Sequence, residues 1–176
     1  MIWVFLEQIK TNVMIKLKNP YAEFPGYNCF GCSPANDIGL RMEFFEDGDE
    51  IVSTWNPGMA YQGFHDILHG GIQATMMDEI ASWVVFAKLD TAGVTYQMTT
   101  RYRRPVHISK GAITLRAKLA HQRRKIASIE VILLDAEGNK CAESMVDYFL
   151  ISREKAEKEM HYPGKDSFYE TGSRKG

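Results

Sequence analysis

Residues 69–79 read HGGIQATMMDE, which puts an imidazole, two bare glycines and two carboxylates into one short run. His69, Gly70 and Gly71 stand where a loop turns into a helix. A helix start rich in glycine offers free backbone N–H groups and the positive end of the helix dipole. Asp78 and Glu79 follow between two and three turns later, in a segment otherwise built from Ile, Ala, Met, Val, Trp and Phe. A carboxylate in such surroundings is costly unless it is paired or put to use. Anion-stabilising amides and a carboxylate on one element are two parts that acyl-transfer or hydrolytic chemistry requires.

These groups need a helix to carry them and a sheet to hold the helix. Residues 69–88 form that helix, about 30 Å long. Its stripe at 72, 76, 80, 83, 84 and 87 is flanked by further apolar residues at 77, 81, 85 and 86, so the helix must be buried on most sides. The chain around it has strand periodicity. Residues 40–45 and 51–55 flank the polar turn at 46–50, and residues 56–68 read as a loop. After the helix, 94–102, 113–119, 127–133 and 141–151 alternate apolar with polar. Four long strands on short connections favour a meander, with the two early strands completing the sheet. The fold class is α+β: a curved antiparallel sheet wrapped around one long central helix.

Composition sets the outer bounds. The chain has 176 residues, 45% of them apolar, and a net charge of −1. That length supports one domain with a sizeable core, and the balanced charge argues against a nucleic-acid partner. Three cysteines make no disulfide framework, so a reducing, cytoplasmic setting is expected. No apolar run is long enough for a membrane span, and Glu7 follows the short apolar start where a signal peptide would continue. The expected organisation is an N-terminal extension (1–18), a domain (19–152), and a polar tail (153–176) that starts as a short helix and ends loose.

Three pieces together resemble the hotdog-fold acyl-CoA thioesterases, in particular the phenylacetate-pathway-like (PaaI-like) branch. They are Asn28-Cys29-Phe30-Gly31-Cys32 with Gly39-Leu40, then His69-Gly70-Gly71 with Asp78, then Tyr102-Arg103-Arg104-Pro105-Val106. The likeness covers roughly residues 28–152. It implies hydrolysis of an acyl-CoA to a free acid and CoA. Asp78 would be the general base or nucleophile, the Gly71 N–H would hold the oxyanion, and His69 would orient the thioester or support its loop. Thr95 would supply a hydroxyl that positions water. Gly70, Arg103, Arg104, Arg123 and Arg124 would contact CoA, which enters as substrate, with no other cofactor. Active sites in this family form between protomers, so a homodimer or dimer of dimers is implied.

The residues themselves leave several points open. Periodicity does not separate Asp78 from Glu79; the resemblance favours Asp78. Glycines at a helix start also serve a tight turn, Thr95 suits a strand on its own account, and paired arginines are common solvated strand ends. His65, Asp66 and His69 are read as loop residues, and no metal site is expected from them. Cys29 and Cys32 form one CxxC with only Cys141 besides, too few ligands for a closed zinc site, and are read as packed thiols. Two other functions compete: an enoyl-CoA hydratase or dehydratase on the same fold, and a non-catalytic acyl-CoA-binding module.

Overall fold

Apolar alternation places seven strands in one antiparallel sheet in this computed structural model, which describes residues 14–170. In chain order the elements are β1 (Ile15–Lys16), β2 (Phe45–Asp47), β3 (Glu50–Trp55), β4 (Gln62–Phe64), β5 (Ile67–Leu68), α1 (Gly70–Lys88), β6 (Gly93–Tyr102), β7 (Ile113–Arg123), β8 (Ile126–Leu134), β9 (Lys140–Leu150) and α2 (Arg153–Met160). The large sheet runs β1-β2-β3-β7-β8-β9-β6, and β4 pairs separately with β5. Helix α1 packs against β3, β6, β7, β8 and β9. It buries Met76, Met77, Ile80, Trp83, Val84 and Val85. At about 1.5–3 kcal/mol per large apolar side chain, this burial outweighs the cost of two acidic residues at mid-helix. The result is the hotdog arrangement expected above, a sheet wrapped around one long helix. No helix among the described residues is long and apolar enough to cross a membrane.

The pairing departs from a four-strand meander. Strands β7, β8 and β9 do follow one another, but β6 lies beyond β9 and leaves β7 to pair with β3. Hydrogen bonding therefore occupies only one side of β6, which forms an edge carrying exposed Val94, Tyr96 and Tyr102. The stretch 40–44 belongs to no strand, and Arg41 within it takes a left-handed backbone (φ 51°). Leu40, Met42 and Phe44 alternate inward as expected, yet the amides of Leu40 and Met42 bond to the carbonyls of Phe30 and Gly31. The alternation was sound, but its partner is the cysteine loop rather than a sheet strand. Residues 56–68, read as a loop, contain the small β4–β5 hairpin.

Beyond α2 the chain is not loose up to residue 170. Tyr162, Phe168 and Tyr169 are buried, Tyr162 donates its hydroxyl to the Phe86 carbonyl at 2.7 Å, and Tyr169 bridges to Leu17. Three aromatics are enough to override the polar composition of this segment. Residues 1–13 of the N-terminal extension and 171–176 of the tail lie outside the described residues.

Candidate active site

The start of α1 is held from several directions. His69 is extended (φ −58°, ψ 133°) and caps the helix, its Nδ1 accepting from the Gly71 N–H at 2.9 Å. A Cβ on Gly71 would press on that imidazole at 3.0 Å, so the glycine suits the cap. Gln73 donates its side-chain amide to the Leu68 carbonyl at 2.9 Å, and Tyr102 donates its hydroxyl to the Gly70 carbonyl at 2.7 Å. The Gly71 N–H, expected to hold an oxyanion, donates to His69 in this structure. The amides of Gly70 and Ile72 find no acceptor among the described residues. Replacing the cap, His69→Ala, should lower stability by about 1 kcal/mol, read by urea denaturation.

Asp78 sits on the sheet-facing side of α1, where two hydroxyls converge on one of its oxygens. Thr95 Oγ1 donates to Asp78 Oδ1 at 2.8 Å, and the Tyr148 hydroxyl lies 2.9 Å from both Oδ1 and the Asp78 carbonyl. Thr95 of β6 and Tyr148 of β9 are direct cross-strand partners, and a bulge after Thr95 marks the spot. Burial, and then the nearby Asp78 charge, push the Tyr148 phenol well above its ordinary range, so it stays a proton donor. One oxygen is thus fixed, and the other, Oδ2, takes no hydrogen bond from a described residue.

Tyr148 was not found from the sequence, where it reads as one more inward position of a strand. Only its register opposite Thr95 reveals it. Tyr148→Phe should lower turnover roughly tenfold with KM little changed, because the lost hydrogen bond, worth about 1.5 kcal/mol, is one of the two that orient Asp78. Steady-state kinetics on the two proteins would measure it.

Glu79, one residue further around the helix, faces the other way. Its Oε1 accepts from Trp83 Nε1 at 3.2 Å, and its Oε2 lies 3.5 Å from Cys29 Sγ. Burial, with the Cys29 charge second, pushes its carboxyl up to about 7. A cavity of about 420 Å³ opens on this side, lined by Glu79, Cys29, Cys32, Trp83 and Phe86 among others, but not by Asp78. The helix therefore divides two acidic neighbours between two environments.

The arginines divide as well. Arg103 and Arg104 follow β6 at the end where Tyr102 meets Gly70, and Arg103 is paired with Glu143. Arg123 ends β7 and Arg124 opens the β7–β8 turn, toward the opposite end of β6. The ten residues of β6 separate the two pairs by about 30 Å. Within one chain the two pairs, each a candidate for CoA contacts, do not form a single patch. Asp66 accepts from the backbone and hydroxyl of Ser109, both at 2.8 Å, and lies 3.2 Å from His107 Nδ1, clamping its loop to residues 107–109.

Comparison with known proteins shows what the chain is similar to. Residues 65–142 match the family model of the thioesterase superfamily, and that segment carries α1 with His69, Gly70, Gly71 and Asp78, and Thr95 on β6. The chain thus has the hotdog fold, and its central segment is similar to the thioesterase superfamily. Among solved structures, a thioesterase superfamily protein superposes with a TM-score of 0.64 at 24% identity over 69% of this chain. This chain spans 59% of the length of that protein. A hypothetical thioesterase from Streptococcus pneumoniae, crystallised with coenzyme A, gives 0.55 at 22% identity over 60% of this chain and 83% of its own. The PaaI protein of the Escherichia coli phenylacetic acid degradation operon gives 0.58 at 18% identity over 65% and 82%. No curated protein matches the chain.

Proposed function

We propose that the protein is an acyl-CoA thioesterase, releasing a free carboxylic acid and CoA. The observation that carries this reading is the Asp78 carboxylate, with Oδ1 pinned by Thr95 and Tyr148 and Oδ2 open. As general base, Asp78 takes a proton from water as the water oxygen bonds to the thioester carbon. The carbon–sulfur bond then breaks and the departing CoA thiolate is protonated. As nucleophile, the carboxylate oxygen instead displaces the CoA thiolate, which is protonated, to form an anhydride that water cleaves to the free acid and Asp78. Either route needs N–H donors at the developing oxyanion. The amides of Gly70 and Ile72 suit that role; Gly71 suits it only when its bond to His69 opens.

Geometry favours a site shared by two copies of the chain. Gly71 and Asp78 are seven residues apart, on nearly the same helix face but about 10 Å apart along the axis. A donor must come within about 3 Å of the carbonyl oxygen, and the carboxylate within about 3 Å of the carbon or of the water that attacks it. Along one helix the two groups stand far apart for direct attack, whereas two helices brought together by a homodimer, or a dimer of dimers, can bring them closer. The edge of β6, with Val94, Tyr96 and Tyr102 exposed, offers a surface for such an association. Coenzyme A in the Streptococcus pneumoniae neighbour supports the choice of thioester. Arg103 and Arg104, at the same end as the helix start, are the pair suited to its phosphates.

The test is a panel of acyl-CoA esters with free thiol measured over time, crotonyl-CoA included. Stoichiometric thiol release is the expected result. Hydration of crotonyl-CoA without thiol release would replace this reading with a hydratase, and esters bound but intact after hours would replace it with a binding module.

A further inference from the structure

Cys29, Cys32 and Glu79 come from a loop and a helix about fifty residues apart in sequence, yet their Sγ, Sγ and carboxylate oxygen atoms all lie within 4.8 Å of one another. They are the one such group of potential metal ligands among the described residues. The sequence left the CxxC short of ligands; the fold brings a third. In a tetrahedral zinc site, sulfur and oxygen ligands at ordinary bond lengths sit about 3.6 Å apart, and two sulfurs about 3.8 Å. The 3.5 Å between Cys29 Sγ and Glu79 Oε2 fits that edge.

The sulfurs lie at the edge of the core, beside polar groups. Cys32 Sγ lies 2.9 Å from the Tyr27 hydroxyl and 3.5 Å from Asn19 Nδ2, two donors suited to a thiolate. Glu79 is oriented by Trp83 Nε1, and Gly31 leaves the space its carboxylate fills. All three residues line the 420 Å³ cavity, whose walls include Tyr21, Phe24, Trp83 and Phe86. A site with three protein ligands and one side on a cavity keeps a coordination position for an outside ligand.

We propose that Cys29, Cys32 and Glu79 bind one thiophilic divalent cation of the zinc class, with its fourth coordination position turned toward the aromatic cavity. The site lies on the opposite side of α1 from Asp78 and does not depend on the thioesterase reading. Its test is titration of the full chain, held reduced by a phosphine, with Co²⁺ and then Zn²⁺. One equivalent of Co²⁺ should give thiolate-to-cobalt charge-transfer absorption, and Zn²⁺ should abolish it. Cys29→Ser and Glu79→Gln should each raise the dissociation constant by at least about tenfold. Cys141→Ser, whose thiol lies near Asp135, and Asp78→Asn should bind as the native chain does. Absence of the charge-transfer band in the native chain, or a band undiminished in Cys29→Ser and Glu79→Gln, would overturn the proposal. Binding retained in an Asp78→Asn protein that no longer turns over would separate it from the catalytic reading.

Discussion

Asp78→Asn should lower the turnover of thioester hydrolysis by about 10²–10⁴ while leaving the fold intact. The substitution keeps the shape of the side chain and keeps an oxygen to accept from Thr95 and Tyr148. What it removes is the second oxygen, replaced by an amide nitrogen that can neither take a proton from water nor attack a thioester. The loss is therefore chemical and amounts to roughly 3–5 kcal/mol of transition-state stabilisation. It should fall on kcat, since Asn leaves the groups around the acyl chain in place. Thiol release under saturating ester, alongside a thermal melt that matches the native chain, is the measurement. Native turnover in Asp78→Asn would take this carboxylate out of the reaction.

The largest effect on stability should come from Phe168→Ala, at about 3–5 kcal/mol, which for a chain of this length lowers Tm by roughly 10 °C. Phe168 is fully buried in an aromatic cluster. Its ring lies 5.5 Å from Trp83 edge to face, 5.6 Å from Phe86 stacked, and 6.1 Å from both Tyr21 and Tyr162. These partners come from α1, the turn at residues 20–23 and the segment after α2, so no single element can close over the void. Thermal and urea unfolding would measure the cost. A loss below about 1 kcal/mol would mean that residues 161–170 only rest on the domain instead of completing its core.

That residue also marks where the sequence stopped being informative. The long helix and the strands after it were legible because burial imposes a period on their residues: the expected helix at 69–88 meets α1 at Gly70–Lys88, with His69 as its cap. Phe168 stood alone in a charged stretch, with no period to show that it turned inward. The order of strands was only partly legible, since alternation identifies a strand and its faces but not its neighbour. Nothing in 94–102 says that it joins β9 rather than β7.

The site followed the same rule. Asp78 and Thr95 were both named, and they meet at 2.8 Å. Tyr148, 70 residues from Asp78, enters through strand register alone. The glycine amide expected to face an oxyanion is occupied because the neighbouring imidazole folds back on it, a local choice between cap and ligand that spacing does not encode. Glu79 and Cys29 were weighed separately, as a rival carboxylate and a packed thiol. Their contact across 50 residues of chain is a property of the fold.

Gly31 carries a consequence for how this lineage can vary. A methyl group there would fall inside the Glu79 carboxylate, so positions 31 and 79 are not free to drift independently. Any descendant that gains a side chain at 31 must shorten or redirect the one at 79, and a homologue with alanine at the first should have a smaller residue at the second. Paired substitution at these two places, far apart in the text of the gene, would be the mark this crowding leaves on evolution.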